Sequence, residues 1–171
     1  MTVKDLNKKE YASFYQTYID KCGHEELNEG LKYNLNKTNE FLNSVPAGKL
    51  DYSYSEGKWT IKEIIQHLID TERIFAYRAL RFSRNDFTEL PGYDENEYAL
   101  NSNANKREFQ DLLTEFNFVR NASLSLFKSF SNDMLMKSGK ANNNEISARS
   151  IAFILVGHCN HHCQVISERY L

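Results

Sequence analysis

The sequence predicts an all-α protein, a four-helix bundle preceded by one short extra helix at the N-terminus. Apolar residues recur at helical spacing over four long segments, and no stretch of useful length alternates like a half-buried strand. The 171 residues include only two prolines and seven glycines, so few positions interrupt the helices. The longest connection joins the second and third bundle helices, which indicates a crossover. We expect residues 1–171 to form a single domain.

The N-terminal part is predicted to hold the extra helix and the first bundle helix. Asn7 and Glu10 have the spacing of a helix cap and predict a helix over 7–22, ended by a glycine. The first bundle helix is expected over 25–44, and Pro46 closes it.

The clearest helix start in the chain precedes the second bundle helix. Thr60 and Glu63 have the spacing of a capping box, and Trp59 and Ile64 have that of a hydrophobic staple. This helix is predicted to run to about Ser83.

The remaining segments complete the bundle. Residues 85–103 contain Leu90-Pro91-Gly92 and are expected to form the long crossover. The third bundle helix is predicted over 105–130, a polar loop over 131–146, and the last helix over 147–169.

The composition restricts the partners and the compartment. Charged residues make up 26% of the chain, with a net charge of −2 and no basic patch, so nucleic acid is not an expected partner. No apolar run approaches the roughly 20 residues that span a membrane. The N-terminus is unlike a signal peptide, and three cysteines make no disulfide framework. We therefore expect a cytoplasmic protein.

Three of the five histidines indicate a metal site. His158 and His162 are four residues apart on a predicted helix, which places both imidazoles on one face. The HExxH zinc motif has this ligand spacing, but here the intervening Cys159-Asn160-His161 includes no glutamate base. His67, on the apolar side of a separate helix, is the natural third ligand. Three neutral imidazoles would leave an open position for water or substrate, as in catalytic zinc sites.

Spacing alone leaves a second interpretation open. A histidine on a helix is more often a packing or surface residue than a ligand. If all three only pack, the bundle would be a metal-free interaction module.

The two histidine segments resemble those of a known family. Residues 59–73, WTIKEIIQHLIDTER, resemble the W-[ST]-x-x-E-x-x-x-H-x-x-D-x-E segment of the DinB/YfiT-like superfamily. Residues 157–166, GHCNHHCQVI, resemble its H-x-x-x-H-x-x-Q-[IV] signature, and residues 90–96, LPGYDEN, are also similar to family sequence. The resemblance covers about residues 31–171. One departure is Cys163-Gln164, where the family often has Gly-Gln.

The resemblance implies a four-helix bundle in which His67, His158 and His162 bind a divalent metal, zinc or nickel. It also implies homodimers. Characterised relatives include thiol-dependent enzymes such as bacillithiol S-transferases and mycothiol-dependent maleylpyruvate isomerases, and others are named metal-dependent hydrolases.

Asp70 and His161 are candidate catalytic residues beside the histidine motifs. Asp70 could accept a hydrogen bond from a ligating imidazole, and the alternative is an ordinary ion pair with Arg73. His161 could be a further ligand or a proton relay, and otherwise it lines the pocket or a dimer surface.

Cys159 and Cys163 form their own i, i+4 pair. Thiolates bind zinc well, but we favour a packing role for both.

We expect a metal-dependent enzyme of the thiol S-transferase or hydrolase type that acts on a small molecule, with a low-molecular-weight thiol as its cofactor. The alternative is a non-catalytic, metal-stabilised bundle that serves as a ligand-binding or stress-related interaction module.

Overall fold

The computed structural model describes residues 1–171, and it confirms the all-α bundle that the sequence predicts. In chain order the helices are α1 (Gln16–Ile19), α2 (Leu27–Ser44), α3 (Ile61–Ser83), α4 (Glu95–Asn101), α5 (Phe109–Lys128), α6 (Asn132–Leu135) and α7 (Ala148–Arg169). The two strands are β1 (Ser138–Ala141) and β2 (Asn144–Ser147). Single 3-10 turns lie at Val3–Asp5, Lys8–Glu10, Ser13–Tyr15, Ala47–Lys49 and Ala104–Lys106. No helix combines the length and the apolar character that crossing a membrane requires.

The four long helices α2, α3, α5 and α7 form the bundle. Helix α2 packs against α5 and α7, and α3 packs against the same two helices. The pairs α2 with α3 and α5 with α7 therefore occupy opposite corners of the bundle, whereas α3 and α5 are neighbours. The long connection between α3 and α5 is the predicted crossover, and it carries α4 within it.

Local capping sets the starts of two bundle helices. Glu63 N donates to Thr60 Oγ1 at 3.2 Å, and Thr60 N donates to Glu63 Oε2 at 2.8 Å, which confirms the capping box of α3. Ser150 N donates to Ser147 Oγ at 3.1 Å at the start of α7. Helix α5 begins later than predicted, at Phe109, because the residues before it form a separate 3-10 turn.

Two apolar clusters fill the bundle. One includes Phe82 and Ile151, and the other includes Ile65 and Phe116, all fully buried. Burying a side chain of this size stabilises the fold by about 1.5–3 kcal/mol. The long helices therefore hold the site residues on a packed framework.

One buried side chain ties the four long helices together. Arg120 Nε on α5 donates to both carboxylate oxygens of Glu72 on α3, at 2.7 and 2.9 Å. Its Nη1 donates to Asn34 Oδ1 on α2 at 2.8 Å, and its Nη2 lies 3.2 Å from Cys159 Sγ on α7. The Arg120 and Glu72 side chains are 0% and 1% exposed, so the pair depends on these partners for its stability.

The predicted helix over 7–22 is wrong over most of its length. Asn7 caps only one 3-10 turn, and the chain is extended at Tyr11, with φ −158° and ψ 155°. Arg149 Nε, at the start of α7, donates to Glu10 Oε2 at 2.7 Å. Such tertiary contacts override a weak local preference for helix, and this segment is divided into two 3-10 turns, Lys8–Glu10 and Ser13–Tyr15, and the short helix α1.

The region predicted as a polar loop, 131–146, contains α6 and a hairpin. Strands β1 and β2 are antiparallel, with Ala141 opposite Asn144. Between them Asn142 and Asn143 have φ of 50° and 61°. Asparagine adopts positive φ more readily than most residues, and two such residues in succession suit a two-residue hairpin turn.

The hairpin anchors the crossover. Leu90 N donates to Lys140 O at 3.0 Å, and Asn142 N donates to Leu90 O at 3.0 Å. Because of these contacts, the residues that follow Leu90, including Tyr93, run along the side of α3 where the histidine cluster lies.

Candidate metal centre

Three imidazoles converge between α3 and α7. His67 Nε2 lies 3.0 Å from His158 Nε2, and His162 Nε2 also lies 3.0 Å from His158 Nε2. All three ligand atoms lie within 4.8 Å of one another, and the side chains are only 5–9% exposed. The structure thus brings together the three histidines that the sequence singled out.

The donor set fits a metal ion better than it fits hydrogen bonding among the rings. A ring nitrogen either carries a proton or offers a lone pair, so His158 Nε2 cannot donate to one neighbour while it accepts from the other. Three lone pairs aimed at one cation remove this conflict. Nitrogens about 2.0–2.1 Å from a tetrahedral zinc lie roughly 3.3 Å apart, close to the observed separations.

The surroundings favour neutral imidazoles, the form that binds metals. Burial lowers the pKa of His67 from 6.5 to about 4. Burial also lowers the pKa of His158 and His162 well below the ordinary value, and the neighbouring imidazoles add to the effect. The lone pairs are therefore available at neutral pH.

Two hydroxyl groups lie behind His67. Thr71 Oγ1, one turn further along α3, is 3.5 Å from His67 Nδ1 and 2.7 Å from the Tyr93 hydroxyl. When His67 Nε2 offers its lone pair, Nδ1 carries the proton and donates towards Thr71. His162 Nδ1, in contrast, is buried without a hydrogen-bond partner.

The three histidines form part of the wall of a cavity of about 500 Å³. Aromatic rings make up much of the remaining wall, from Phe14, Tyr15, Tyr18, Trp59, Phe75 and Tyr93. Trp59 lies with its ring centroid 4.7 Å from that of His67, and Tyr18 lies 5.1 Å from His158. An ion held by the three histidines would therefore border a space large enough for a small organic molecule.

The structure separates the two other candidates from the three-nitrogen cluster. Asp70 makes no hydrogen bond to an imidazole: its Oδ1 accepts from Gln66 Nε2 at 2.9 Å and lies 3.9 Å from Arg73 Nη1. Thr71 occupies the place beside His67 that was expected for Asp70. His161 lies 5.1 Å from His162 between ring centroids but lines a neighbouring cavity. Catalytic roles for Asp70 and His161 remain predictions.

The cysteines of the last helix lie outside the cluster. Cys159 is buried against Arg120, and Cys163 is half-buried. Burial raises the pKa of both thiols, to about 11 for Cys159 and about 12 for Cys163. Both are therefore protonated at neutral pH.

Several cavity residues had no assigned role from the sequence. Arg78 follows His67 by eleven residues, about three helical turns, so the helical period could have placed both on one face. Tyr18 could not be found in this way because the path of the N-terminal segment across α7 is set by tertiary contacts. Tyr93 and Glu95, from the crossover, also line the cavity.

The fold and the site together define a helical bundle with a histidine cluster that can hold a divalent metal. The sequence profile of the DinB superfamily matches residues 31–166, which is more than half of the chain. The chain belongs to the DinB superfamily.

Two similar proteins add to this assignment. A proposed metal-dependent hydrolase from Oceanobacillus iheyensis is 27% identical over 85 residues, 47% of this chain and 49% of that protein. The chain thus matches about half the length of this curated relative. YfiT from Bacillus subtilis, described as a probable metal-dependent hydrolase with an unusual four-helix bundle topology, superposes with a TM-score of 0.73. The match covers 95% of this chain and 90% of YfiT at 18% identity, and it supports the fold alone.

Proposed function

We propose that this protein is a metal-dependent enzyme that acts on a small molecule, with His67, His158 and His162 as the metal ligands. The observation that carries the proposal is the convergence of three buried Nε2 atoms at the wall of a 500 Å³ cavity. A closed structural site would need a fourth protein ligand, whereas three ligands leave one position for a reactant.

A bound zinc or nickel ion would act as a Lewis acid that lowers the pKa of a thiol or of water. The chain itself fixes the ligand geometry, because α3 carries one imidazole and α7 carries two. Thr71 lies within hydrogen-bond distance of His67, and Trp59 and Tyr18 pack against the rings of His67 and His158.

Thiol activation is the reaction class that the surroundings favour. No carboxylate makes a hydrogen bond with any of the three imidazoles, and the one carboxylate that lines the cavity, Glu95, is exposed to solvent. Burial raises the pKa of Tyr93 to about 12, so its hydroxyl keeps its proton at neutral pH and is no general base. A thiol, with a pKa of about 8.5, needs less help than water to lose its proton. We therefore propose S-transfer with a low-molecular-weight thiol ahead of hydrolysis.

Metal binding tests the site. Untagged wild type should bind one zinc or nickel ion per chain. His67→Ala should weaken metal binding by more than about 100-fold, because loss of a residue that only hydrogen-bonds to a ligand already weakens it 10–100-fold. His24→Ala is the matched control, because His24 is exposed and lies outside the cluster. Equal affinity in wild type and His67→Ala would contradict the site.

Activity tests the reaction class. The metal-loaded protein should accelerate conjugation of N-acetylcysteine to 1-chloro-2,4-dinitrobenzene, and EDTA should abolish the acceleration. Cleavage of 4-nitrophenyl acetate in place of conjugation would favour the hydrolase. If metal raises the melting temperature but neither reaction is accelerated, the metal-stabilised binding module replaces the enzyme.

A further inference from the structure

A buried cation in the same cavity has no anionic partner. Arg78 is 4% exposed, its Nη2 donates to Pro91 O at 2.9 Å, and its guanidinium group also interacts with the Tyr15 hydroxyl, so both of its polar neighbours are uncharged. No carboxylate lies within ion-pair distance of its guanidinium group. The other two buried arginines, Arg120 and Arg149, each pair with a carboxylate. Burying an unpaired charge is costly, so this arrangement calls for an explanation.

The neighbours of Arg78 leave part of its guanidinium group directed at the cavity. The group lies 5.0 Å from the Phe75 ring centroid, and Arg78 and Phe75 both line the cavity. A guanidinium group carries five N–H donors in a planar fork, and the contacts with Pro91 O and the Tyr15 hydroxyl do not use all of them. Such a fork matches the paired oxygens of a carboxylate or a phosphate.

The position of Arg78 relative to the histidines sets the size of the ligand. Arg78 and His67 lie on one face of α3, about 16 Å apart along the helix axis. Long helical side chains lean towards the N-terminal end of their helix, so Arg78 leans towards His67. A molecule of metabolite size could contact both ends of the cavity, with aromatic rings between them.

We propose that Arg78 binds the anionic group of the substrate, which is a small organic acid or phosphate ester with an apolar body. The anion pairs with Arg78, the body packs against the aromatic wall, and the opposite end faces His67, His158 and His162. This assignment of substrate class rests on the proposed function for its catalytic meaning, but the anion site can be tested without any reaction.

Trp59 provides the measurement. It is the only tryptophan in the chain, and it lines the cavity. We would titrate 3-phenylpropionate, 2-phenylethyl phosphate and the neutral 3-phenylpropionamide against both the metal-free and the zinc-loaded protein, and follow the Trp59 fluorescence. The two anions distinguish a carboxylate site from a phosphate site.

Metal-free wild type should bind one of the anions at least tenfold more tightly than the amide, since a hydrogen bond to a charged group is worth that much. Arg78→Gln should lose this preference and keep the amide affinity and the zinc affinity. Arg84→Gln is the matched control, because Arg84 is exposed at the end of the same helix and outside the cavity.

Further variants keep the proposal testable if Arg78→Gln does not fold. Arg78→Lys keeps the charge and should lower the anion preference by a smaller factor, about threefold to tenfold. Glu95→Gln removes an exposed carboxylate at the cavity and should tighten anion binding about twofold to threefold.

Equal affinities of wild type for the anions and the amide would overturn the proposal, as would an anion preference that Arg78→Gln retains. If zinc does not bind but the Arg78-dependent preference remains, the proposed metal enzyme fails and the anion site stands. If zinc binds and no preference exists, the anion site alone fails.

Discussion

At the scale of single residues, the hydroxyl group of Thr71 has a larger role than its size indicates. It is the only polar side chain within hydrogen-bond distance of His67 Nδ1, and the Tyr93 hydroxyl in turn holds it in place. Such contacts fix the tautomer and the orientation of a ligating imidazole.

Thr71→Val should therefore weaken zinc binding by about 10-fold, near the lower end of the usual range because the contact is long. Valine keeps the shape of threonine, so the fold should remain intact. Competition with a chromophoric chelator measures the affinity. Thr38→Val is the matched control, because the Thr38 hydroxyl is buried without a partner and lies on α2. Equal losses in the two variants would show that the effect is not specific to His67.

The Arg120–Glu72 pair makes a prediction about stability. Arg120→Met should cost about 3–5 kcal/mol, because it leaves the Glu72 carboxylate buried without a cation. Arg120→Met combined with Glu72→Leu should recover most of that loss. Urea unfolding of the two single variants and the double variant measures the coupling.

Arg73→Met is the control for this cycle. Arg73 also lies in an ion pair, with Glu115 at 2.6 Å, but its side chain is 50% exposed. Its loss should cost no more than about 1 kcal/mol. Similar costs for Arg73 and Arg120 would contradict the special role of the buried pair.

At the scale of elements, the contact between α1 and α7 depends on the absence of a side chain at Gly157. A Cβ atom there would lie 1.8 Å from Tyr18 O and 2.5 Å from the Tyr18 carbonyl carbon. Both are backbone atoms, so no rotamer change relieves the clash. The same contact holds the Tyr18 ring 5.1 Å from His158.

Gly157→Ala should therefore destabilise the protein by about 3 kcal/mol, at the upper end of the cost of overpacking. Gly30→Ala should do the opposite, with a gain of up to about 1 kcal/mol, because Gly30 lies inside α2 and its Cβ would meet only an ordinary contact at 3.6 Å. Thermal unfolding should show a lower melting temperature for Gly157→Ala and a higher one for Gly30→Ala. Stabilisation by Gly157→Ala would mean that α1 is not docked as described.

The elements that the sequence predicted well are those with local signals. The caps at Thr60 and Ser147 and the apolar period of the long helices are set within one turn of the chain. The hairpin escaped prediction because its four-residue strands are too short to display alternation. Asn142-Asn143 was the available signal for its turn.

At the scale of the whole molecule, the histidine cluster links folding to pH. In the unfolded chain an imidazole binds a proton below about pH 6.5, whereas burial lowers the pKa of folded His67 to about 4. Between these values the unfolded state holds more protons than the folded state, so stability falls as the pH falls.

For the metal-free protein, His67 alone should remove about 2 kcal/mol of stability between pH 7 and pH 5. Urea unfolding at the two pH values measures this loss. His67→Gln should have a shallower pH dependence than wild type. Identical pH dependence in His67→Gln and wild type would contradict the assignment.

A bound metal ion should raise the stability of the folded protein and so oppose the loss that a lower pH causes. An ion that binds only the folded state stabilises it by mass action, and protons compete with the ion for the three imidazole nitrogens.

The three histidines of the candidate site could be predicted from the sequence, whereas much of the cavity wall could not. The i, i+4 spacing identified His158 and His162, and His67 followed as the natural third candidate on a separate helix. Resemblance to a family then implied that all three are metal ligands. Arg78 and Tyr18 became visible only with the structure, because the cavity is assembled from segments far apart in the sequence.

The segment that bears Phe14, Tyr15 and Tyr18 forms one cavity wall from a 3-10 turn and the four-residue helix α1. So short an element has few internal hydrogen bonds, and regions of this kind open at a lower free energy than long helices. Its amides should therefore exchange with deuterium well before those of α3 and α7. Occupation of the cavity should slow that exchange, so the labelling pattern would report ligand entry even for a molecule that leaves Trp59 undisturbed.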